Sequence, residues 1–235
     1  FIDLAPTFLD AAGIDWTASG MHPATGKSLM NIIVSEKSGQ IEPERNYVLV
    51  GKERHDTGRP NDAGYPIRGM YKDSMLYIKN YETDRWPSGN PETGYLNTDA
   101  SPTKSEILRL RRTDENKTYW KLNFGKRVTE ELYNITHDPF CILNLEKDAK
   151  YAILKNELRI EMESKLLEQD DLRMKGYGHL YEQHPFTRNA DFYGRYMAGE
   201  ETKAGWVNDS DFETHFLDGD GNTLEKVIRN KEPKE

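Results

Sequence analysis

The chain has 235 residues, enough for one large domain or two small ones. Its 32 Lys and Arg against 40 Asp and Glu give a formal charge of −8, which argues against a nucleic-acid-binding protein, because such proteins carry a basic excess on the binding face. No apolar run approaches the roughly 20 residues that a membrane-spanning helix needs. The sequence therefore predicts neither nucleic acid nor a membrane as a partner.

The chain opens on a short apolar helix, predicted within residues 3–13. Asp3 is a candidate N-cap, Pro6 suits the first helical turn and Gly13 suits the helix end. The residues between them leave almost no polar face, so we expect the helix to be buried against other elements. An opening of this kind, without a methionine or a basic leader, predicts that the chain is the back part of a longer protein.

Four strands are predicted from β-branched and aromatic runs. They are expected at about 46–54, 66–71, 74–80 and 127–135. The second and third should be joined by a turn at Lys72-Asp73. Residues 82–101 are rich in Gly, Pro, Asn and Asp and are predicted to be loop. Ser101 followed by Pro102 then predicts the start of a helix.

One long helix is predicted over residues 149–167, where apolar residues recur every three or four positions. Its apolar stripe consists of Tyr151, Leu154, Leu158, Met162 and Leu166. Residues after 176 lose this periodicity and are predicted to form an irregular extension. The predicted fold class is therefore α+β, with a small antiparallel sheet packed with one long helix.

The segment between the first two strands concentrates positive charge in an acidic chain. Residues 51–69 contain Lys52, Arg54, His55, Arg59 and Arg68. A few clustered cations can attract an anionic small ligand even when the net charge is negative, and guanidinium and ammonium groups bind sulfate and carboxylate well. The alternative is a solvated loop in which these cations pair with Glu53, Asp56 and Asp62.

The next loop adds Arg85 and Trp86, which could offer a further cation and a face on which a sugar stacks. The alternative for Trp86 is that it anchors the loop on a hydrophobic core. Cys141 is the only cysteine, so an intrachain disulfide is excluded.

Four segments, in this order, resemble the C-terminal part of a bacterial type I sulfatase of the alkaline-phosphatase superfamily. They are IDLAPTFLDAAGI, GKSL, the stretch beginning VLVGKERHDTGRP, and EELYNITHDPFCILNL. The last segment resembles the family signature Glu-Leu-Tyr-Asp…Asp-Pro…Asn-Leu through Glu131, Leu132, Tyr133, Asp138, Pro139, Asn144 and Leu145. It departs from that signature at Asn134, where the family usually has Asp, and at Cys141, where an acidic residue is common.

The resemblance implies a domain organisation. Residues 1–40 would end an upstream catalytic α/β domain and its connection, residues 41–175 would form the C-terminal subdomain, and residues 176–235 would be an irregular extension. The upstream domain would be the partner of this chain within the same protein. The resemblance also implies that the protein is periplasmic or extracellular.

The resemblance further implies a sulfuric-ester hydrolase that acts on a sulfated carbohydrate. Its formylglycine nucleophile and its calcium ion would lie upstream, so neither a catalytic residue nor a metal ligand is expected within residues 1–235. Cys141 does not lie in the family's Cys-x-Pro-x-Arg motif, because Leu143 and Leu145 occupy the Pro and Arg positions. The residues expected to line the substrate rim are Lys52, Arg54, His55, Arg59, Arg85 and Trp86.

The sequence is also compatible with two other functions. A related phosphoester or phosphonate-ester hydrolase would use the same rim cations, and a non-catalytic glycan-binding module would need no nucleophile. A Cys-x-Pro-x-Arg motif upstream would favour the sulfatase, and a Thr or Ser nucleophile in its place would favour the phosphatase. A start codon directly before Phe1 would favour the module.

Overall fold

A computed structural model describes residues 1–187, 189–200 and 202–229, so positions 188, 201 and 230–235 of the predicted extension lie outside the described residues. Four strands form one antiparallel sheet in chain order. Their bounds are β1 Tyr47–Lys52, β2 Ile67–Lys72, β3 Met75–Asn80 and β4 Glu130–Asn134. The four predicted strands are confirmed.

The turn between β2 and β3 lies one residue later than predicted, at Asp73-Ser74. Both residues have positive φ, 48° and 65°. A two-residue hairpin turn needs this backbone, because its twist then matches that of the strands. Lys72 instead remains in β2, opposite Tyr47 of β1.

Seven α-helices are described. They are α1 Leu4–Ala11, α2 Met30–Ile33, α3 Pro102–Arg112, α4 Thr118–Phe124, α5 Ala152–Glu168, α6 Leu180–Gln183 and α7 Phe192–Met197. The predicted start of α3 is confirmed, since the Ser101 hydroxyl accepts a hydrogen bond from the Lys104 backbone N–H at 3.1 Å. A second, two-stranded antiparallel sheet pairs β5 His215–Leu217 with β6 Thr223–Lys226.

The longest described helix, α5, packs on one face of the four-stranded sheet, as predicted. The buried core between them consists of Met70, Met75, Tyr77, Leu132, Leu158, Met162 and Leu166. Ion pairs border this core, with Lys72 Nζ 2.7 Å from Glu161 Oε2 and Lys79 Nζ 2.8 Å from Glu163 Oε1. The α+β fold class predicted from the sequence is therefore confirmed.

A charge network joins the sheet to the segment that follows α5. Arg68 is 6 % exposed, and its guanidinium binds Asp171 at 2.6 Å and Glu53 at 2.5 Å. Arg173 binds the other side of the Glu53 carboxylate at 2.7 Å. The positive charges of the two arginines thus balance the negative charges of Glu53 and Asp171 at the point where the chain leaves β1.

A second core covers the loop after β3. Its buried members are Trp86, Tyr95, Leu108, Trp120, Phe124 and Leu217. Leu217 comes from β5, and beside it Arg111 of α3 forms a buried ion pair with Glu213 at 2.6 Å. Residues after 176, predicted from sequence only as an irregular extension, therefore complete this core.

The structure corrects the expectation for the opening helix. Phe1 and Phe8 are exposed, and Thr7 is the buried residue of α1. The Asp3 side chain does not cap the helix; it accepts a hydrogen bond from the Lys27 backbone at 2.8 Å and pairs with Arg45 at 3.2 Å. Longer-range partners thus outcompete the local cap. Within the described ranges, no helix is both long and apolar enough to cross a membrane.

Two leucines of α5 provide a matched test of this packing. Leu158 is 3 % exposed and Leu167 is 47 % exposed. We expect Leu158→Ala to lower the free energy of unfolding by about 2–5 kcal/mol, because it leaves a cavity against the sheet. We expect Leu167→Ala to cost less than about 1 kcal/mol. Urea unfolding monitored by circular dichroism measures both, and equal losses would contradict the packing of α5.

Candidate functional site

The predicted rim residues do not form one patch. Most of them line three separate cavities, which we call the sheet cavity, the loop cavity and the outer cavity. Lys52 lines the sheet cavity with Tyr65, Arg127, Glu131 and Tyr133. The loop cavity is lined by Arg59, Asn61, Ala63, Asp84, Arg85 and Trp86. His55 lines the outer cavity with Asp56, Asp99, Phe186 and Trp206.

The expectation that Arg59 is an exposed rim residue is wrong. Its side chain is buried, with 1 % exposed. Nε donates to the Trp86 carbonyl at 2.7 Å and Nη2 to the Pro87 carbonyl at 2.9 Å, while Nη1 donates to the Ala63 carbonyl at 3.3 Å. Burial and the neighbouring Arg85 lower the pKa of Arg59 to about 10, so the group stays charged at neutral pH. Three of the five guanidinium donors thus serve backbone carbonyls of the irregular loops around Arg59.

Two further residues of the predicted rim have structural partners. Arg85 binds the Glu182 carboxylate through both terminal nitrogens and donates to the Gly64 carbonyl at 2.9 Å. Trp86 is 8 % exposed and meets Trp120 edge-to-face, with ring centroids 5.8 Å apart. The expectation of an open stacking face at Trp86 is therefore wrong, since the ring anchors the loop on the second core.

The alternative of a solvated loop with internal ion pairs is right for one pair, Arg68 with Glu53, and wrong about solvation, since Arg59 and Asp62 are buried. Asp62 is buried and accepts a hydrogen bond from the Asp191 backbone at 2.7 Å. Glu53 binds Arg68 and Arg173, as described above. Apart from the Arg68–Glu53 pair, the segment is held by partners from distant parts of the chain, namely Asp171, Arg173 and Asp191.

Arg54 and His55 lie at the outer end of the segment. Arg54 donates to the His184 carbonyl at 2.6 Å and its guanidinium lies 4.7 Å from the centre of the Phe186 ring. His55 is exposed. The outer cavity that it borders has a volume of about 560 Å³. Burial raises the pKa of Asp56 in its wall, with a smaller contribution from Asp99. This cavity therefore mixes aromatic, acidic and histidine side chains.

The sheet cavity lies on the face of the sheet opposite α5 and has a volume of about 330 Å³. Lys52 reaches it from the end of β1, because alternate residues of a strand point to opposite faces. Burial and the charge of Arg59 lower the pKa of the Lys52 ammonium. Across the described ranges this ammonium forms no salt bridge, and it lies 5.7 Å from the centre of the Tyr65 ring.

A buried carboxylate with fixed donors forms the opposite wall of the sheet cavity. Glu131 is 7 % exposed, and its two oxygens accept hydrogen bonds from Asn80 at 2.7 Å and from the Tyr133 hydroxyl at 2.5 Å. Sequence reasoning identified Glu131 and Tyr133 as part of a signature and missed them as cavity residues. The sequence could have shown this, because alternation along the strands places Glu131 and Tyr133 on the same face of the sheet as Lys52.

Among the described residues, Cys141 is the candidate for a thiol nucleophile, and a metal site would need several ligating side chains close together. Burial raises the pKa of the Cys141 thiol, as do Asp138 and Glu131 to a smaller extent, so the reactive thiolate is disfavoured. No three His, Cys, Asp or Glu side chains of the described part lie close enough together to hold a metal ion.

Fold and cavities together define an α+β unit in which a four-stranded antiparallel sheet presents a polar, cation-bearing cavity. In sequence, the chain is 28 % identical over 171 residues to an ulvan-active sulfatase of Formosa agariphila, covering 69 % of this chain and 24 % of that protein. The predicted resemblance to sulfatases is thereby confirmed. The chain spans about a quarter of the length of this curated relative. No family model matches the chain.

Three solved structures, two of them named as sulfatases, match part of the chain. A 2-O glycosaminoglycan sulfatase is 21 % identical with a TM-score of 0.44, covering 74 % of this chain and 26 % of that one. A protein solved in complex with its substrate D-glucosamine-2-N,6-O-disulfate is 18 % identical with a TM-score of 0.43, covering 72 % and 24 %. A candidate sulfatase of Bacteroides thetaiotaomicron is 20 % identical with a TM-score of 0.43, covering 74 % and 25 %.

The buried position of Arg59 generates a stability prediction. We expect Arg59→Met to lower the free energy of unfolding by at least about 2 kcal/mol, because buried carbonyls lose their donor. The matched control is Arg109→Met, since Arg109 is half exposed with surface ion pairs, where we expect a loss below about 1 kcal/mol. Urea unfolding of both variants decides the matter. An unchanged stability of Arg59→Met would return Arg59 to the candidates for ligand binding.

Proposed function

We propose that this chain is part of a sulfuric-ester hydrolase that acts on a sulfated carbohydrate. It would contribute substrate-rim residues, and the nucleophile and the calcium-binding carboxylates would lie in another part of the same protein. The observation that carries the proposal is the 28 % identity over 171 residues to an ulvan-active sulfatase. Such an enzyme would act in the periplasm or outside the cell, where a large charged carbohydrate is met.

The geometry supports a rim that is smaller than the sequence suggested. Lys52 and His55 are only three positions apart in the chain and line different cavities. Between them the chain is held by Arg54 on the His184 carbonyl. The Lys52 ammonium suits the recognition of an anionic group on a glycan, and the His55 imidazole can hydrogen-bond a sugar substituent.

Arg54 has a supporting role in this proposal. Its Nε is buried without a partner among the described residues, and its Nη1 is already bonded to the His184 carbonyl. We therefore assign Arg54 to positioning His55 and Phe186, and we assign direct contact with the glycan to His55. Arg59, Arg85 and Trp86 would position the loop behind this rim.

The exposed apolar residues of α1 and of the two positions at the start of the chain support a contact with another part of the protein. Phe1, Ile2, Leu4 and Phe8 are all exposed in this chain. Exposed apolar patches of this kind commonly mark interaction sites. We propose that the upstream catalytic domain covers this face. The phosphoester-hydrolase and glycan-module alternatives have no observation of comparable weight, because the curated match is to a sulfatase.

The first test is activity of the chain alone. We expect the 235-residue chain to show no turnover of 4-nitrophenyl sulfate, with or without added calcium, because the proposed nucleophile and metal ligands lie outside it. Cys141→Ala should leave this result unchanged. Turnover by the wild-type chain that disappears in Cys141→Ala would overturn the proposed division of labour.

The second test separates rim from chemistry in the complete natural protein. We expect His55→Ala to lower kcat/KM on a sulfated oligosaccharide by roughly tenfold to a hundredfold, the effect of one lost charge-assisted hydrogen bond. Turnover of 4-nitrophenyl sulfate should be unchanged, because that small substrate does not reach the rim.

The matched control for this test is His137→Ala, since His137 is exposed in the turn after β4. It should affect neither substrate. If His55→Ala reduces kcat/KM equally on both substrates, or if its melting temperature falls with the activity, a structural role replaces the rim role.

A further inference from the structure

The sheet cavity contains an unusual buried group that the rim proposal does not use. Tyr65 lines the cavity and is 2 % exposed. Its hydroxyl has no hydrogen-bond partner among the described residues. A buried hydroxyl without a partner is costly, so a native protein with such a group usually has a functional reason for it.

The Tyr65 hydroxyl lies within the electrostatic reach of the cavity walls. Burial, with a smaller contribution from Glu131, raises its pKa to about 12, although Arg127 and Arg59 act in the opposite direction. The phenol therefore remains a neutral donor at physiological pH. A ligand in the cavity would find a donor with no competing partner.

The charges of the cavity leave a net positive site. Lys52 and Arg127 are cationic, and Glu131 is the carboxylate of the wall. Arg127 uses one nitrogen to bind the Leu122 carbonyl at 2.5 Å, and the Lys52 ammonium is not paired within the described ranges. The two cations and one carboxylate together favour a ligand with a single negative charge.

The remaining walls are suited to a ring with both polar and apolar surfaces. Glu131 already holds two donors, and each carboxylate oxygen can accept a further one, for which ring hydroxyls are suitable. The apolar side chains of Ile67, Ile78 and Phe140 line the same cavity and suit the C–H faces of a sugar. About 330 Å³ is at the lower end of the usual range of ligand pockets, so it admits one such ring.

We propose that the sheet cavity binds one hexose-sized ring that carries a single anionic group, either a carboxylate or a sulfate ester. Lys52 and Arg127 bind the anionic group, the Tyr65 hydroxyl donates to the ring substituents and Glu131 accepts from ring hydroxyls. This inference rests on the proposed function, since it names a recognised unit of the glycan.

The test is a binding titration of the 235-residue chain, followed by protein NMR, with glucuronate, glucose 6-sulfate and glucose as separate probes. We expect shifts at the sheet cavity with one or both anionic sugars. Glucose should bind at least about tenfold more weakly, because it lacks the charge-assisted contacts. The two anionic probes distinguish a carboxylate site from a sulfate site.

Two conservative variants test whether the Tyr65 hydroxyl and the Lys52 ammonium contribute to this binding. Tyr65→Phe removes one hydroxyl without changing the ring, and Lys52→Gln removes one charge. We expect each to weaken binding of the anionic sugar by about tenfold. The matched controls are Tyr71→Phe and Lys147→Gln, which change exposed side chains outside the cavity and should leave binding unaltered.

Equal binding of glucose and the charged sugars, no shift at the cavity, or unchanged affinity in both Tyr65→Phe and Lys52→Gln would overturn the proposed cavity site. Melting temperatures confirm that the variants are folded. Because no turnover is measured, such a failure would be distinct from a failure of the proposed sulfatase function, which is tested by activity of the complete protein.

Discussion

The arrangement of the candidate site depends on the buried ion network of Arg68. This side chain joins Glu53, at the end of β1, to Asp171, just beyond α5. Burying charges is costly unless each is paired, and removing one partner of such a pair typically costs about 3–5 kcal/mol. The network therefore fixes the direction in which the chain leaves the sheet. Lys52, one residue before Glu53, is fixed with it.

The basic residues of this segment and of the loop after β3 have two kinds of role. Arg59, Arg68 and Arg85 hold carbonyls and carboxylates inside the fold, where the planar guanidinium with several donors is most useful. Lys52 and His55 border cavities that a ligand can enter. A local excess of positive charge in an acidic chain thus has a largely structural origin here. The part available for anion recognition is smaller and more precisely placed.

The regular elements were predictable from sequence because their patterns are local. Runs of β-branched and aromatic residues identified the strands, and a stripe of five apolar residues identified α5. The roles of the arginines were not predictable, because Arg68 and Arg85 find their partners 103 and 97 residues away. The exposure of α1 in this chain was not predictable, because its apolar pattern calls for a cover and does not show whether the described residues provide one. The grouping of Tyr65 with Glu131 depends on strand register, which the separate segments do not reveal.

The central claim is that this unit recognises the carbohydrate while chemistry occurs elsewhere in the same protein. A crystal structure of the complete natural protein with a sulfated oligosaccharide tests it most directly. The account predicts a sugar ring within hydrogen-bond distance of Lys52 and Tyr65, and a sulfate ester held at a nucleophile outside these 235 residues. An oligosaccharide bound at the nucleophile without any contact to residues of this chain would contradict the account.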